Sequence, residues 1–138
     1  MRYLDRLQPL ALLVMRLALG IIMVAHGYQN SFSHLREHVH LVASLGFPAW
    51  LGYVSSFTEL IGGLLILFGL FTRPAAFALC IDLSVAIWKV HWHNGLMRDH
   101  GSEFPLAIAS LAFALIFFGA GPIAIDHVLR GGSTLSRR

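Results

Sequence analysis

Four stretches of the chain are apolar for long enough to cross a bilayer, which takes about 20 helical residues. They cover residues 10–27, 50–71, 74–92 and 104–120. None alternates apolar and polar with a period of two. Lipid admits only helices and closed barrels, so unbroken apolar runs predict helices. Pro9 stands where a first helix begins. The break Gly46-Phe47-Pro48 precedes the second run, and Thr72-Arg73 makes a tight turn into the third. The fourth stops at Gly119-Ala120-Gly121-Pro122. The prediction is an all-α, integral membrane four-helix bundle forming one domain over residues 1–130, with a flexible basic tail at 131–138. Arg2 and Arg6 ahead of an apolar stretch imitate a signal peptide. That stretch is too long for one, is interrupted by Arg16 and lacks a small-x-small cleavage site, so it reads as a retained first span.

Composition strengthens this picture. Of 138 residues, 57% are hydrophobic and 12% charged, with a mean hydropathy of +0.70. A soluble domain carries roughly 25% charged residues, so the bilayer is the partner that can cover this surface. The net charge of +3 does not point to nucleic acid, because the basic residues flank the apolar runs instead of forming a stripe. With four spans, one side carries Arg2, Arg6, Arg73, Arg130, Arg137 and Arg138, and the other only Arg36 and Arg98. The positive-inside rule then places both termini in the cytoplasm. Cys80 is the single cysteine, which excludes an intrachain disulfide and a Cys-x-x-Cys pair.

Three charged residues fall near the middle of the spans, where each costs at least ~2.5 kcal/mol on insertion scales. Arg16, Glu59 and Asp82 all count out to the middle of their runs, so the sequence predicts that they meet, with Gly20 and Gly62-Gly63 allowing close helix approach. One reading is structural: Arg16 pairs with a carboxylate and locks the bundle. The other is functional: one cation against two acids leaves a surplus negative charge, which a proton must neutralise. A second polar layer, nearer the outer face, holds His26, Lys89, His91, His93 and Glu103. Asp82, Ala86, Lys89 and His93 fall on one helical stripe, although Lys89 also suits snorkelling to the surface. The candidate catalytic set is Glu59, Arg16, His26, His91 and Glu103, and the candidate cofactor-binding set is Arg16, His26, Glu59, Asp82 and Lys89. His34 and His38 at i, i+4, with His40 and His93, have metal-ligand spacing, but read first as solvated loop residues. A haem between His26 and His91 is a further geometric option. The pattern also hints at a duplicated hairpin: His26-Gly27 and His91-Trp92-His93-Asn94-Gly95 each close a span, and each is followed by a loop and a returning Glu, Glu59 or Glu103.

Several of these stretches, in this order and spacing, resemble the DoxX family of small bacterial membrane proteins. They are Arg16-Leu17-Ala18-Leu19-Gly20 leading to His26-Gly27, then Leu45-Gly46-Phe47-Pro48, then Glu59-Leu60-Ile61-Gly62-Gly63 running to Gly69-Leu70-Phe71-Thr72-Arg73. His91 with Asn94-Gly95, Glu103-Phe104-Pro105 and Gly121-Pro122 through Asp126 complete the set. The resemblance covers nearly the whole chain. It implies a four-span inner-membrane protein described as an oxidoreductase. Relatives are linked to thiosulfate oxidation with quinone as acceptor, to quinone resistance, and to a membrane complex containing superoxide dismutase. Quinone is therefore the implied cofactor and a redox protein the implied partner. Lys89 and the loop histidines match no family motif. The alternatives are a non-catalytic scaffold for a partner redox enzyme, and a small proton-coupled transporter acting as a homo-oligomer through Glu59 and Asp82.

Overall fold

The computed structural model describes residues 2–131, with side chains from Leu4 onward. Residues 132–138, most of the expected basic tail, lie outside the described residues. After one helical turn at Arg2–Asp5, helix α1 spans Gln8–Tyr28, with Pro9 in its first turn, where a missing N–H costs nothing. Helix α2 is Leu35–Ser44, α3 Trp50–Phe68, α4 Thr72–Ala86, α5 Glu103–Phe118 and α6 Ile125–Gly131. Among the described residues there is no strand. Two helices outrun the expected bounds. α1 continues through a π turn at Gln29–Ser33, and α4 through a π turn at Ile87–His91 and a 3-10 turn at Trp92–Asn94. The helical segments Gln8–Ser33, Trp50–Phe68 and Thr72–Asn94 are long and apolar enough to cross a membrane, whereas α5, at 16 residues, is a shorter apolar helix.

The packing is pairwise. α1 lies along α3, α4 along α5, and α3 joins the two pairs through α4. Leu19, Met23, Ile66, Leu79 and Leu115 fill the centre at 0–1% exposure, with Ala75, Ala76, Ala109 and Ala112 buried around them. Val14, Ile21, Phe77, Phe113 and Phe117 point outward, more than half exposed. An exterior as apolar as the interior is what a water-soluble bundle lacks, and it fits lipid contact. The α1–α3 pair is the tightest. A Cβ on Gly27 would run into the Leu60 backbone, one on Gly63 would stand 2.7 Å from the Val24 nitrogen, and one on Gly20 would stand 2.9 Å from Leu67 Cα. These three approaches fix an antiparallel register, with Arg16 level with the end of α3 and the close of α1 level with Glu59.

Every helix buried in lipid leaves its last carbonyls and first N–H groups without intrahelical partners. Three charged side chains from other elements satisfy them. α3 ends at Gly69 (φ 69°), where Leu70 N–H donates to Leu65 O and Gly69 N–H to Ile66 O, a Schellman arrangement. Arg16, 2% exposed, donates from Nε to Ile66 O at 3.1 Å and from Nη2 to Leu67 O at 3.2 Å. Its Nη1 donates to Ala120 O at 3.0 Å and to Ile123 O, tying in the chain beyond α5. Asp126 closes the opposite polarity: its carboxylate accepts from Phe71 N at 2.8 Å and Thr72 N at 3.0 Å, at the start of α4. Arg73 donates to Phe117 O at 3.1 Å, at the end of α5. Cations at C-termini and an anion at an N-terminus also complement the helix dipoles. Burial alone would lift the Asp126 carboxyl, but the N–H groups of Thr72 and Phe71 and the Arg130 charge outweigh it and hold it below the usual value.

α2 docks on α3 where Gly52 lets Val39 approach; a Cβ there would lie 2.8 Å from Val39 Cα. His38 on this helix is half-buried, its Nε2 without a hydrogen-bond partner among the described residues. Burial holds its imidazole below its ordinary value, so the docked helix carries it neutral.

Three outcomes are expected. Arg16→Met should destabilise the protein by about 3 kcal/mol or more, since charged hydrogen bonds contribute ~1.5–3 kcal/mol each. Denaturant titration in mild detergent measures this, and Arg16→Lys should recover only part, because an ammonium cannot span four carbonyls. Asp126→Asn should cost about 1 kcal/mol, as a lost helix cap does. The carboxylate's contribution is present above about pH 3.9, the unfolded value, and lost as pH falls through the depressed folded value. The stability curves of the wild type and the Asp126→Asn variant should therefore converge in acid. For His38 the contribution is present above about pH 6.5 and lost as pH falls below it, because the undocked helix takes up the proton first. Amide exchange over Leu35–Ser44 should therefore accelerate between neutral pH and about pH 5 beyond the intrinsic trend, and His38→Leu should abolish the excess.

Candidate functional site

The three long helical segments each contribute to one polar cluster. Because Gly27 brings the end of α1 onto the Glu59–Leu60 backbone, the π turn that follows can place Asn30 against α3. Asn30 Nδ2 donates to Glu59 Oε2 at 2.6 Å. Asp82 on α4 is near enough for its charge to act on Glu59, and the Ser55 hydroxyl, one turn before Glu59, lies beside the Asp82 carboxylate. Both carboxylates are half-buried. Ser31, next to Asn30 and 3% exposed, has a hydroxyl without a partner among the described residues. The cluster thus combines two acids that repel each other if both are charged, an amide that orients one of them and a hydroxyl beside the other. Such a set can hold, pass or withhold a proton.

Arg16 is not part of it. The sequence sets Arg16, Glu59 and Asp82 at one depth by counting from apolar ends, but α1 runs to Ser33, so Arg16 stands in its first half. From Arg16 to Asn30 is roughly 20 Å at 1.5 Å per residue, and the guanidinium is occupied by four carbonyls at the far end of α3. Glu59 and Asp82 do meet; their expected cation does not join them.

The second layer is also rearranged. A π turn holds one residue more than an α turn, so Ile87–His91 rotates everything after Ala86 and breaks the expected stripe. His91 turns back along its own helix, its Nδ1 3.1 Å from Ala86 O. A carbonyl only accepts, so Nδ1 carries the proton and Nε2 faces outward from that bond. Lys89 turns away, its ammonium 4.3 Å from the Trp88 ring and 5.6 Å from the Phe47 ring, a cation–π arrangement that ties α4 to the loop before α3. His26 is exposed and stacks on Phe104, with centroids 5.8 Å apart, beside the exposed Glu103 that opens α5. His26 and His91 therefore make contacts with different elements. His34, His40 and His93 are exposed, while the His38 Nε2 is buried. Among the described residues no three His, Cys, Asp or Glu side chains gather as a metal site.

Sequence reasoning missed Asn30, Ser31 and Ser55. The buried positions Arg16, Gly20, Met23, Gly27 and Ser31 keep a 3–4 spacing, so following that period past residue 27 would have carried the first span into the site. The π turn itself has no such signal.

Comparison with known proteins gives three relatives. The chain is 32% identical over 114 residues to a Bacillus subtilis (strain 168) protein named "Putative oxidoreductase CatD", with 83% of each chain covered. It is 28% identical over 131 residues to a Haemophilus influenzae (strain Rd) protein, covering 92% of this chain and 96% of that one. A second H. influenzae protein is 32% identical over 104 residues, covering 74% and 68%; both carry the name "Uncharacterized protein". No solved structure matches the chain at a significant level. The family model for DoxX matches residues 11–92, the stretch holding Arg16, Glu59, Asp82 and His91, and the chain belongs to the DoxX family.

Proposed function

We propose that this chain is a multi-pass component of an oxidoreductase system in the bacterial cytoplasmic (inner) membrane, linked to quinone, with the Glu59–Asp82 pair handling protons. The observation that carries the reading is the convergence of Asn30, Glu59, Ser55 and Asp82 from three membrane-length helices. Acids are expensive inside a membrane, and here the cation expected to balance them, Arg16, is committed elsewhere. The name of the B. subtilis relative supports the redox class. In this reading α5 is the fourth span and both termini are cytoplasmic. Two contacts support an even number of crossings: Arg16 to Ala120 O and Arg73 to Phe117 O bring the end of α5 to the same end of the molecule as the start of α1.

The donor set fits a quinone. Carbonyl oxygens need hydrogen-bond donors and a proton route in apolar surroundings, and the cluster offers two carboxylic groups, the Ser55 hydroxyl and an amide. A bound quinone would supply two-electron, two-proton chemistry, with electrons from a partner redox protein. The chain's own residues bind and orient: Asn30 fixes the Glu59 carboxyl, Ser55 steadies Asp82, and a proton moves between the carboxyl oxygens of the pair. His91, with Nε2 turned from its Ala86 bond, and His26 with Glu103 stand at the loop end of the helices, where protons enter or leave.

Organic extracts of the gently purified protein should contain quinone enriched over an unrelated four-span control, measured by mass spectrometry. Glu59→Gln keeps an oxygen for Asn30 yet removes the titrating group. It should lower the enrichment about tenfold, the size of one charge-assisted hydrogen bond, with unchanged circular dichroism and elution. Equal quinone content in the wild type and the control would sink the quinone assignment and leave the scaffold role for a partner enzyme.

A further inference from the structure

At the end of the bundle where α3 passes into α4, a cavity of about 320 Å³ opens between the start of α4, the end of α5 and α6. Arg73, His127 and Arg130 line it, and all three are exposed. Asp126 also lines it, and two arginines against that single carboxylate leave the cavity with a cationic surplus. Arg73 spends one N–H on Phe117 O; a guanidinium has five N–H donors in a fork suited to phosphate oxygens. The rim is apolar: Phe71, Phe118 and Leu129 are 62%, 68% and 65% exposed. A basic hollow rimmed by exposed apolar side chains, level with helix ends, sits where lipid headgroups meet acyl chains.

A second hollow, of about 540 Å³, runs between α3 and α4 and shares Phe71 and Pro74 with the first. Its walls are apolar, and Gly62, Ala75 and Ala78 make it by lacking bulk. On α3 it extends from Leu65 to Val54, roughly 16 Å at 1.5 Å per residue. That is close to half of the ~30 Å hydrocarbon core, the depth of one leaflet. A free phosphate has no use for such a groove, and a partner's membrane-crossing helix would need one twice as deep.

We propose that these two hollows form one binding site for an anionic phospholipid, its phosphate held by Arg73, His127 and Arg130 and one acyl chain laid along the α3–α4 groove. The occupant is identified by charge at one end, apolar length at the other, and continuity across Phe71 and Pro74. None of Asn30, Ser55, Glu59 and Asp82 lines either hollow, and the proposal does not depend on the redox reading.

Native mass spectrometry of the full chain in mild detergent tests it, with phosphatidylglycerol and phosphatidylcholine of equal chain length titrated in turn. Phosphatidylglycerol should be retained at least about fivefold better, and Arg130→Gln should lower its retention about fivefold, the scale of one basic residue acting on an anionic lipid. Arg73→Gln, which also removes the Phe117 contact, should do at least as much, and both variants should keep the circular dichroism and elution of the wild type. Ala78→Phe, at an exposed position, fills the groove without touching the basic end. It should lower retention of phosphatidylglycerol while leaving inorganic phosphate as poor a competitor as before. Equal retention of the two lipids would overturn the proposal, because it would make the groove a site for neutral amphiphiles. Full displacement by inorganic phosphate would overturn it in favour of a free anion. A dimer lost in Ala78→Phe with lipid retention unchanged would overturn it in favour of a second copy of the chain.

Discussion

The end of α3 is the constraint on which the rest of the molecule depends. Its final carbonyls are wholly or partly buried within the protein, where an unsatisfied polar group costs about 1–3 kcal/mol. Gly69 folds two N–H groups back onto the helix, and Arg16 supplies the rest from α1. The same guanidinium reaches Ala120 O and Ile123 O, so one side chain fixes α1, α3 and the chain after α5 to a common point. Asp126 N–H donates to Gly69 O while the Asp126 carboxylate takes the first N–H groups of α4. Arg73, in the first turn of α4, then holds the end of α5. Helix ends from α3, α4 and α5 are coupled to α1 through three charged residues. A change at any one of them is felt by all the helices that meet there.

From that anchored end, the glycines carry the register upward. Gly20, Gly63 and Gly27 keep α1 and α3 at backbone contact, and this places the close of α1 beside Glu59. The two π turns then depart from regular helix where the candidate site residues gather. One delivers Asn30 to the Glu59 carboxylate; the other turns His91 back to Ala86 and sends Lys89 to Phe47 and Trp88. π turns are rare and recur at functional sites because the extra residue re-aims side chains without ending the helix. That both occur where a membrane-length segment closes fits the duplicated hairpin hinted at by His26-Gly27 and His91.

The division of charge along the helices follows a physical logic. Groups that complete backbone hydrogen bonding, Arg16, Arg73 and Asp126, gather at one end of the bundle, where α1 starts and α5 finishes. The groups with titrating oxygens and few structural duties, Glu59 and Asp82, lie farther along, between helices whose outer faces are apolar. The first set serves folding. The second has only the Asn30 and Ser55 contacts to balance it, and a pair of acids inside a membrane with so little compensation is the strongest reason to assign them chemistry.

The sequence by itself determined the helices, because apolar runs of this length have no other state in lipid. It also determined the breaks at Gly46-Phe47-Pro48 and Thr72-Arg73, and which residues are too polar to be there by default. Glu59 and Asp82 were legible for that reason. Depth was not. Counting from apolar boundaries assumes that each span starts at the membrane surface, and α1 outruns its apolar stretch by a π turn, so Arg16 moved to a helix end and Asn30 into the site. Only the tertiary structure decided which polar groups face one another. Register depends on glycine contacts between segments about forty residues apart in the chain, and a π turn shifts every later side chain by an amount that no periodicity in the sequence records.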